Sequence, residues 1–196
     1  MLFRSADTGI VFNRVDLGQS QLKICPLNLE KANRATRLKQ GNTDIITPEH
    51  LLAACAALNL HNLFVEIDGP EVPILDGSAL AFYETLLACK IVTLSETVTP
   101  YVITQPIYLQ ESDQILLALP ASESTFFYGL DIPLPYIGKQ TCTFSLSSGA
   151  FEKEIAPART WGFEREVKAL LEKNLAKGGS LDNAVVIGDN EIGRAH

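Results

Sequence analysis

The spacing of apolar positions changes several times along the chain, and each change predicts an element. Ile10 to Val15 and Gln21 to Cys25 read as short strands. Asn28 to Asn42 is polar and basic, with Lys31, Arg34, Arg37 and Lys39, and reads as a solvated loop or strand edge. Ile45-Ile46 leads into Thr47, after which Leu51, Leu52, Cys55 and Leu58 recur at helical spacing. The spacing predicts a helix from Pro48 to about Leu58. Thr47 is its expected N-cap, and Pro48 suits the first helical position because its missing N–H costs nothing there. Asn59 or Asn62 is expected to end it, since Asn tolerates the left-handed conformation.

Leu63-Phe64-Val65-Glu66-Ile67 alternates like a strand, and Asp68-Gly69-Pro70 and Pro73 punctuate the next connection. Asp76-Gly77-Ser78 precedes a second expected helix, Ala79 to about Cys89. A polar stretch from Leu94 to Pro100 suggests a boundary. Beyond it, strands are predicted at Tyr101–Thr104, Ile107–Gln110, Ile115–Leu119, Phe126–Ile132 and Thr141–Leu146. Phe163, Val167, Leu170 and Leu171 predict a helix from Phe163 to about Leu175, ended by Gly178-Gly179. Ala184 to Ile187 reads as a buried strand. The second half repeats the sheet-plus-helix composition of the first, with no convincing repeat in the sequence itself.

Composition narrows the function. The 196 residues carry 16 basic and 23 acidic side chains, a net charge of −7. An acidic chain argues against a nucleic-acid partner. Hydrophobic residues make up 46%, enough for a real core. No apolar run is long enough to span a membrane, and no signal peptide is visible. The cysteines, Cys25, Cys55, Cys89 and Cys142, form no CxxC pair and read as free thiols of a reducing cytoplasm.

The ends read as foreign. Leu2-Phe3-Arg4-Ser5 is the translation of the adapter stretch CTCTTCCGATCT, and Ile192-Gly193-Arg194-Ala195-His196 that of ATCGGAAGAGCACAC. Residues 1–5 and 191–196 are therefore expected to be adapter-derived scars. The remainder divides into an expected N-terminal domain, 6–95, and a C-terminal one, 96–190.

Glu49 and His50 form the first chemical candidate: a carboxylate and an imidazole side by side at the start of a helix. The positive end of the helix dipole favours the ionised carboxylate and disfavours a charged imidazole. A neutral imidazole can bind a metal while a carboxylate takes a proton from water. The plainer alternative is a dipole-stabilising Glu beside a packed His. A catalytic zinc needs three protein ligands, and His61 and His196 offer no obvious completion. Thr160 is the second candidate, either as a helix cap or as a hydroxyl that stabilises an oxyanion. Lys177-Gly178-Gly179-Ser180-Leu181-Asp182 comes after a helix rather than opening one, so it does not read as a phosphate loop. Neither G-x-S-x-G nor H-E-x-x-H occurs.

Five stretches together resemble the UDP-3-O-acyl-N-acetylglucosamine deacetylase family, the zinc enzymes of the committed step of lipid A biosynthesis. They are Asp7-Thr8-Gly9-Ile10-Val11-Phe12, Thr47-Pro48-Glu49-His50-Leu51-Leu52-Ala53-Ala54, Glu71-Val72-Pro73-Ile74-Leu75-Asp76-Gly77-Ser78-Ala79, Ala158-Arg159-Thr160-Trp161-Gly162-Phe163 and Gly178-Gly179-Ser180-Leu181-Asp182-Asn183-Ala184. They occur in family order. The resemblance implies two similar α+β domains, each a mostly antiparallel sheet layered on helices, with the active site between them. It implies removal of an N-acetyl group by zinc-bound water, on a UDP-linked acylated glucosamine in the cytoplasm. By the same resemblance Glu49 is the general base, His50 a Zn2+ ligand and Thr160 the oxyanion hydroxyl. Trp161 and Gly162 are substrate-contact positions, and Val167, Ala176, Ser180, Leu181 and Ala184 line the passage for the acyl chain. That substrate leaves peripheral membrane contact open.

The departures are specific. The family's initial Gly-x-Gly-x-His hairpin, its later His-Lys-x-x-Asp helix and a further histidine, the proposed general acid, are not found here. Leu134 stands where many members have His. The expectation is a truncated deacetylase whose 196 residues alone are inactive. The alternatives are a non-catalytic sugar-nucleotide or lipid-binding protein on the same scaffold, and a plain α+β domain whose Glu-His pair is only a helix start.

Overall fold

A computed structural model of the chain describes residues 6–32, 34–146, 149–172, 178–189 and 192–193, with backbone alone for 168–171. In chain order the elements are β1 (Ile10–Arg14), β2 (Ser20–Lys23), β3 (Leu29–Glu30), β4 (Arg37–Gln40), β5 (Thr43–Ile46), α1 (Glu49–Ala57), β6 (Leu63–Ile67) and α2 (Leu80–Ala88). Then come β7 (Ile107–Glu111), β8 (Gln114–Ala118), β9 (Thr125–Ile132), β10 (Gly138–Ser145), a π-helical turn (Phe151–Ile155), β11 (Trp161–Phe163), α3 (Glu164–Glu172), β12 (Val185–Ile187) and β13 (Ile192–Gly193). The fold is α+β, built from small and mostly antiparallel sheets.

β1 is the centre of the first sheet. It pairs antiparallel with β2 and parallel with β6, with Phe12 opposite both Leu22 and Val65. The second sheet is β3–β4–β5, antiparallel throughout. Both sheets and the two helices α1 and α2 enclose one core, in which Phe12, Leu22, Ile45, Leu51, Cys55 and Leu63 are almost wholly removed from water. Burial of such side chains contributes roughly 1.5–3 kcal/mol each. Arg14 ends β1 inside this core. Its guanidinium binds Asp16 Oδ2 at 2.6 Å and reaches across to the Asp44 backbone carbonyl on β5 at 2.9 Å, so its charge is not left unpaired.

The basic stretch after Asn28 is partly strand. Leu38 is buried while Arg37 and Lys39 flank it, which is the alternation of a strand with one covered face. Thr47 does not cap α1. The backbone at its approach is pinned on two sides: Ile46 N–H donates to Pro70 O at 2.8 Å, and Thr47 N–H to Thr36 O at 2.9 Å. Thr47 is thereby turned to φ +59°, and its hydroxyl donates to Glu71 Oε1 at 3.3 Å instead of meeting the helix amides. Pro48 takes the N-cap position rather than the first helical one, and its carbonyl accepts the first helical bond, from Leu52 N–H at 2.9 Å. The other end is as expected. Asn59 sits at φ +52°, with Leu60 N–H bound to Cys55 O and Asn59 N–H to Ala56 O, a Schellman termination.

The second half is more open. Tyr101–Thr104 is not a strand: prolines at 100 and 106 bracket it, and Tyr101 is 88% exposed. β7–β8 and β9–β10 form separate two-stranded antiparallel sheets, and most of their side chains face solvent. Phe163 belongs to β11, paired in register with Ile187, so α3 starts at Glu164. The strand expected to be buried at Ala184–Ile187 is β12, and only Ile187 of it is buried. The rest of the expected helix, to about Leu175, lies outside the described residues.

Candidate active site

Two places in this fold hold the candidate residues. The first is the opening turn of α1. Glu49 and His50 are its first two residues, both half-buried. The Glu49 carboxylate has a fixed partner: Thr36 N–H donates to Glu49 Oε2 at 3.3 Å. Thr36 O in turn accepts the Thr47 N–H, so residue 36 grips the helix start from both of its peptide groups. A negative charge at a helix N-terminus also meets the dipole favourably.

The second place is the junction between the loop before α2 and the strand β11. Asp76 Oδ1 accepts both the backbone N–H of Ser78 at 3.1 Å and its hydroxyl at 2.8 Å, while the Ser78 hydroxyl accepts Leu80 N–H at 3.1 Å. This buried serine thus satisfies a free amide at the start of α2. Gly77 O accepts Thr160 N–H at 2.7 Å, and Thr160 O accepts Val185 N–H at 2.9 Å. Both peptide groups of Thr160 are therefore committed, and its half-buried hydroxyl takes no hydrogen bond among the described residues. Thr160 does not cap α3, which begins only at Glu164. Arg159 faces Asp76 at 4.0 Å and donates to Asp182 O at 3.3 Å.

The positions expected to contact a substrate are spread along the segment after Thr160. Trp161 packs edge-on against Phe163, with ring centroids 5.3 Å apart. Trp161 also lines an open cavity of about 350 Å³ with Leu130, Ile132, Tyr136, Ile137, Gln140, Arg159, Val185, Ile187 and Ile192. Gly162 is its neighbour on β11. Val167 lies on α3 and is exposed, as are Ser180 and Leu181, while Ala184 is half-buried. None of these four lines that cavity. Ala176 lies outside the described residues. Around Ser180 the amides are used internally: Ser180 N–H donates to Asn183 Oδ1 and Asp182 N–H to Ser180 Oγ. Leu134 is the hub of the turn from β9 to β10, accepting from both Ile137 and Gly138 N–H at 2.9 Å.

No hydrogen bond joins Glu49 or His50 to Thr160 among the described residues. What connects the two places is indirect. Arg34, two residues before Thr36, pairs with Glu166 in the first turn of α3. Thr36, Arg34 and Glu166 are not candidates on sequence grounds, because contacts 13 or more residues apart leave no local pattern. The described residues contain no group of three His, Cys, Asp or Glu side chains able to hold a metal ion. Glu49 and His50 alone do not fit a complete zinc site.

A family model, LpxC: UDP-3-O-acyl N-acetylglycosamine deacetylase, matches residues 2–195. Among curated proteins, the UDP-3-O-acyl-N-acetylglucosamine deacetylase of Bdellovibrio bacteriovorus is 41% identical over 189 residues, covering 95% of this chain and 63% of that protein. The enzyme of the same name from Trichormus variabilis is 40% identical over 191 residues, covering 93% and 68%. The one from Campylobacter fetus is 38% identical over 187 residues, covering 95% and 63%. The chain spans a little under two thirds to about two thirds of the length of these relatives. With a match along almost its whole length, the chain belongs to the UDP-3-O-acyl N-acetylglycosamine deacetylase family.

Proposed function

We propose that the protein built on this chain hydrolyses the N-acetyl group of a UDP-linked, 3-O-acylated glucosamine, the committed step of lipid A biosynthesis, in the cytoplasm. The observation that carries the reading is the opening turn of α1, where Glu49 and His50 stand together with the carboxylate held by Thr36 N–H, in a chain of this family. In this reading Glu49 is the general base. It is already hydrogen-bonded through one oxygen, which leaves the other to accept a proton. The Thr160 hydroxyl, unengaged among the described residues and anchored through both its peptide groups, donates to the oxygen that gains charge as the amide is attacked.

Zinc dependence is part of the proposal, with His50 as the ligand this chain offers. No catalytic step is assigned to the metal, since the described residues do not complete its donor set. Trp161, Gly162, Val167, Ala176, Ser180, Leu181 and Ala184 are proposed to contact the substrate, and the apolar ones to receive its acyl chain. A fatty chain leaving water gains roughly 0.8 kcal/mol per methylene. The two-domain division at 6–95 and 96–190, with the site between, belongs to the same proposal, as does a peripheral contact with the membrane that holds acylated products. Among the described residues no helix is long and apolar enough to cross a membrane.

The test is acetate release from the acylated UDP-sugar. A longer protein containing these residues is expected to release acetate with zinc, and Glu49→Gln to lower the rate by about 10²–10⁴-fold. Absence of release by the longer protein would overturn the deacetylase reading. The 196 residues alone are expected to match their Glu49→Ala control. Release above that control would overturn the inactivity of the short chain and leave the family reaction standing.

A further inference from the structure

We propose that Arg34 is a positioning residue for Glu49: its ion pair with Glu166 straps α3 to the loop whose Thr36 N–H holds the carboxylate. The inference deepens the proposed reaction and rests on that reading only for the role of Glu49.

Three observations carry it. Thr36 is bonded to the start of α1 twice, through its N–H to Glu49 Oε2 at 3.3 Å and through its carbonyl to Thr47 N–H at 2.9 Å. Any shift of residue 36 therefore moves the partner of the carboxylate. Arg34, two residues earlier, lies at φ +57°, a backbone state that a residue with a Cβ holds only when something fixes it. The ion pair between its guanidinium and Glu166 tethers the residue at this point: Glu166 Oε2 is covered, finds no hydrogen-bond donor in good geometry among the described residues, and faces Arg34.

The Arg34 and Glu166 side chains remain 42% and 34% exposed. Such a pair contributes little to global stability. Its effect is local, on where residues 34–36 sit, and through them on the orientation of Glu49 and the distance of α3 from α1. Because α3 carries Val167, the strap also ties the proposed base to the segment proposed to receive the acyl chain.

Amide hydrogen exchange of the 196-residue chain tests this without substrate or metal. Arg34→Glu is expected to speed exchange at Thr36 by about tenfold or more, while Leu63, whose N–H donates to Gly9 O deep in the first core, keeps its rate. The charge-swapped pair Arg34→Glu with Glu166→Arg is expected to restore Thr36 to within about threefold of the parent. An unchanged Thr36 in Arg34→Glu overturns the strap, and so does a swap that fails to restore it. Equal acceleration at Thr36 and Leu63 overturns it as well, because the residue would then be structural only. If Arg34→Glu does not fold, Arg34→Gln is read by the same criteria. Since exchange is measured without turnover, failure of the deacetylase reading leaves this result interpretable, and the acetate assay stands if the strap fails.

Discussion

The backbone of Asn183 presses on Gly77 so closely that a Cβ at residue 77 would stand 1.8 Å from the Asn183 carbonyl oxygen. Gly77 also has φ +82°, where a side chain is strained whatever the space. The same residue accepts the Thr160 N–H, so the contact sets how the loop before α2 meets the segment of the proposed oxyanion donor. Gly77→Ala must push the two backbones apart as well as adopt a left-handed conformation. It is expected to destabilise the chain by about 2–4 kcal/mol, with an unchanged slope in a urea titration. A midpoint within error of the parent would show that this approach does not hold the two segments together.

Cys55 gives a second prediction, from burial alone. Its thiol is 1% exposed, and removal from water pushes its pKa from 9.0 up to about 11. The folded thiol stays protonated where the unfolded one ionises. Its stabilising effect is therefore full below about pH 9 and is lost as pH rises toward about 11. Over that window the loss amounts to about 2–3 kcal/mol. Cys55→Ala should remove this alkaline component, seen as a flatter stability curve above pH 9 by denaturant titration. In the native parent, Cys89 and Cys142, both exposed, should react with a thiol reagent before Cys55 does. Fast labelling of Cys55 at neutral pH would contradict its placement in the core.

Arg14 and Asp16 govern the acid side. The hydrogen bond from Arg14 holds the Asp16 carboxyl below its usual 3.8, and the same bond raises the guanidinium further above its ordinary value. For an acid whose folded pKa is depressed, the stabilising effect is present above about 3.8 and is lost as pH falls through the lower folded value. Asp16→Asn should lower the unfolding midpoint at pH 7 and leave a shallower decline below pH 4 than in the parent. Parallel acid-unfolding curves for the two proteins would mean that Arg14 is satisfied by Asp44 alone.

How much of the fold and the candidate site is legible in the sequence depends on whether the cause is local. The helix at Pro48–Leu58 and its end at Asn59 are readable, because a 3.6-residue apolar period and the tolerance of Asn for positive φ act within one turn. Thr47 has the chemistry of a cap, but its conformation is decided by Thr36 and Pro70, far away in the chain. Tyr101–Thr104 is a run of aromatic and β-branched residues that suits a strand, but prolines lie on either side and Tyr101 and Val102 are exposed, which leaves it irregular. Glu49 and His50 can be found because they are adjacent and start a helix. Thr36, Arg34 and Glu166 cannot, since polar residues in a basic loop and on a helix surface look the same whether they are solvated or paired across the fold.

The sheets β7–β8 and β9–β10 carry the last prediction. Each has two strands, an arrangement that is marginal in water without a covering layer. Leu109, Ile115, Leu116 and Leu117 are each more than half exposed, as are Phe127 and Tyr128, at 71% and 61%. Exposed apolar side chains in this number attract dyes and other copies of the chain, and the outer strands add unpaired backbone groups that template further pairing. The chain is therefore expected to bind anilinonaphthalene sulfonate while folded and to self-associate as concentration rises in sedimentation velocity. Leu116→Lys and Phe127→Lys together should lower both signals. They should leave the thermal midpoint within about 4 °C, since neither side chain packs into the main core and surface changes of this kind lie within about ±0.5 kcal/mol each. A parent chain that stays monomeric and dye-silent at high concentration would show that these strands are covered in solution.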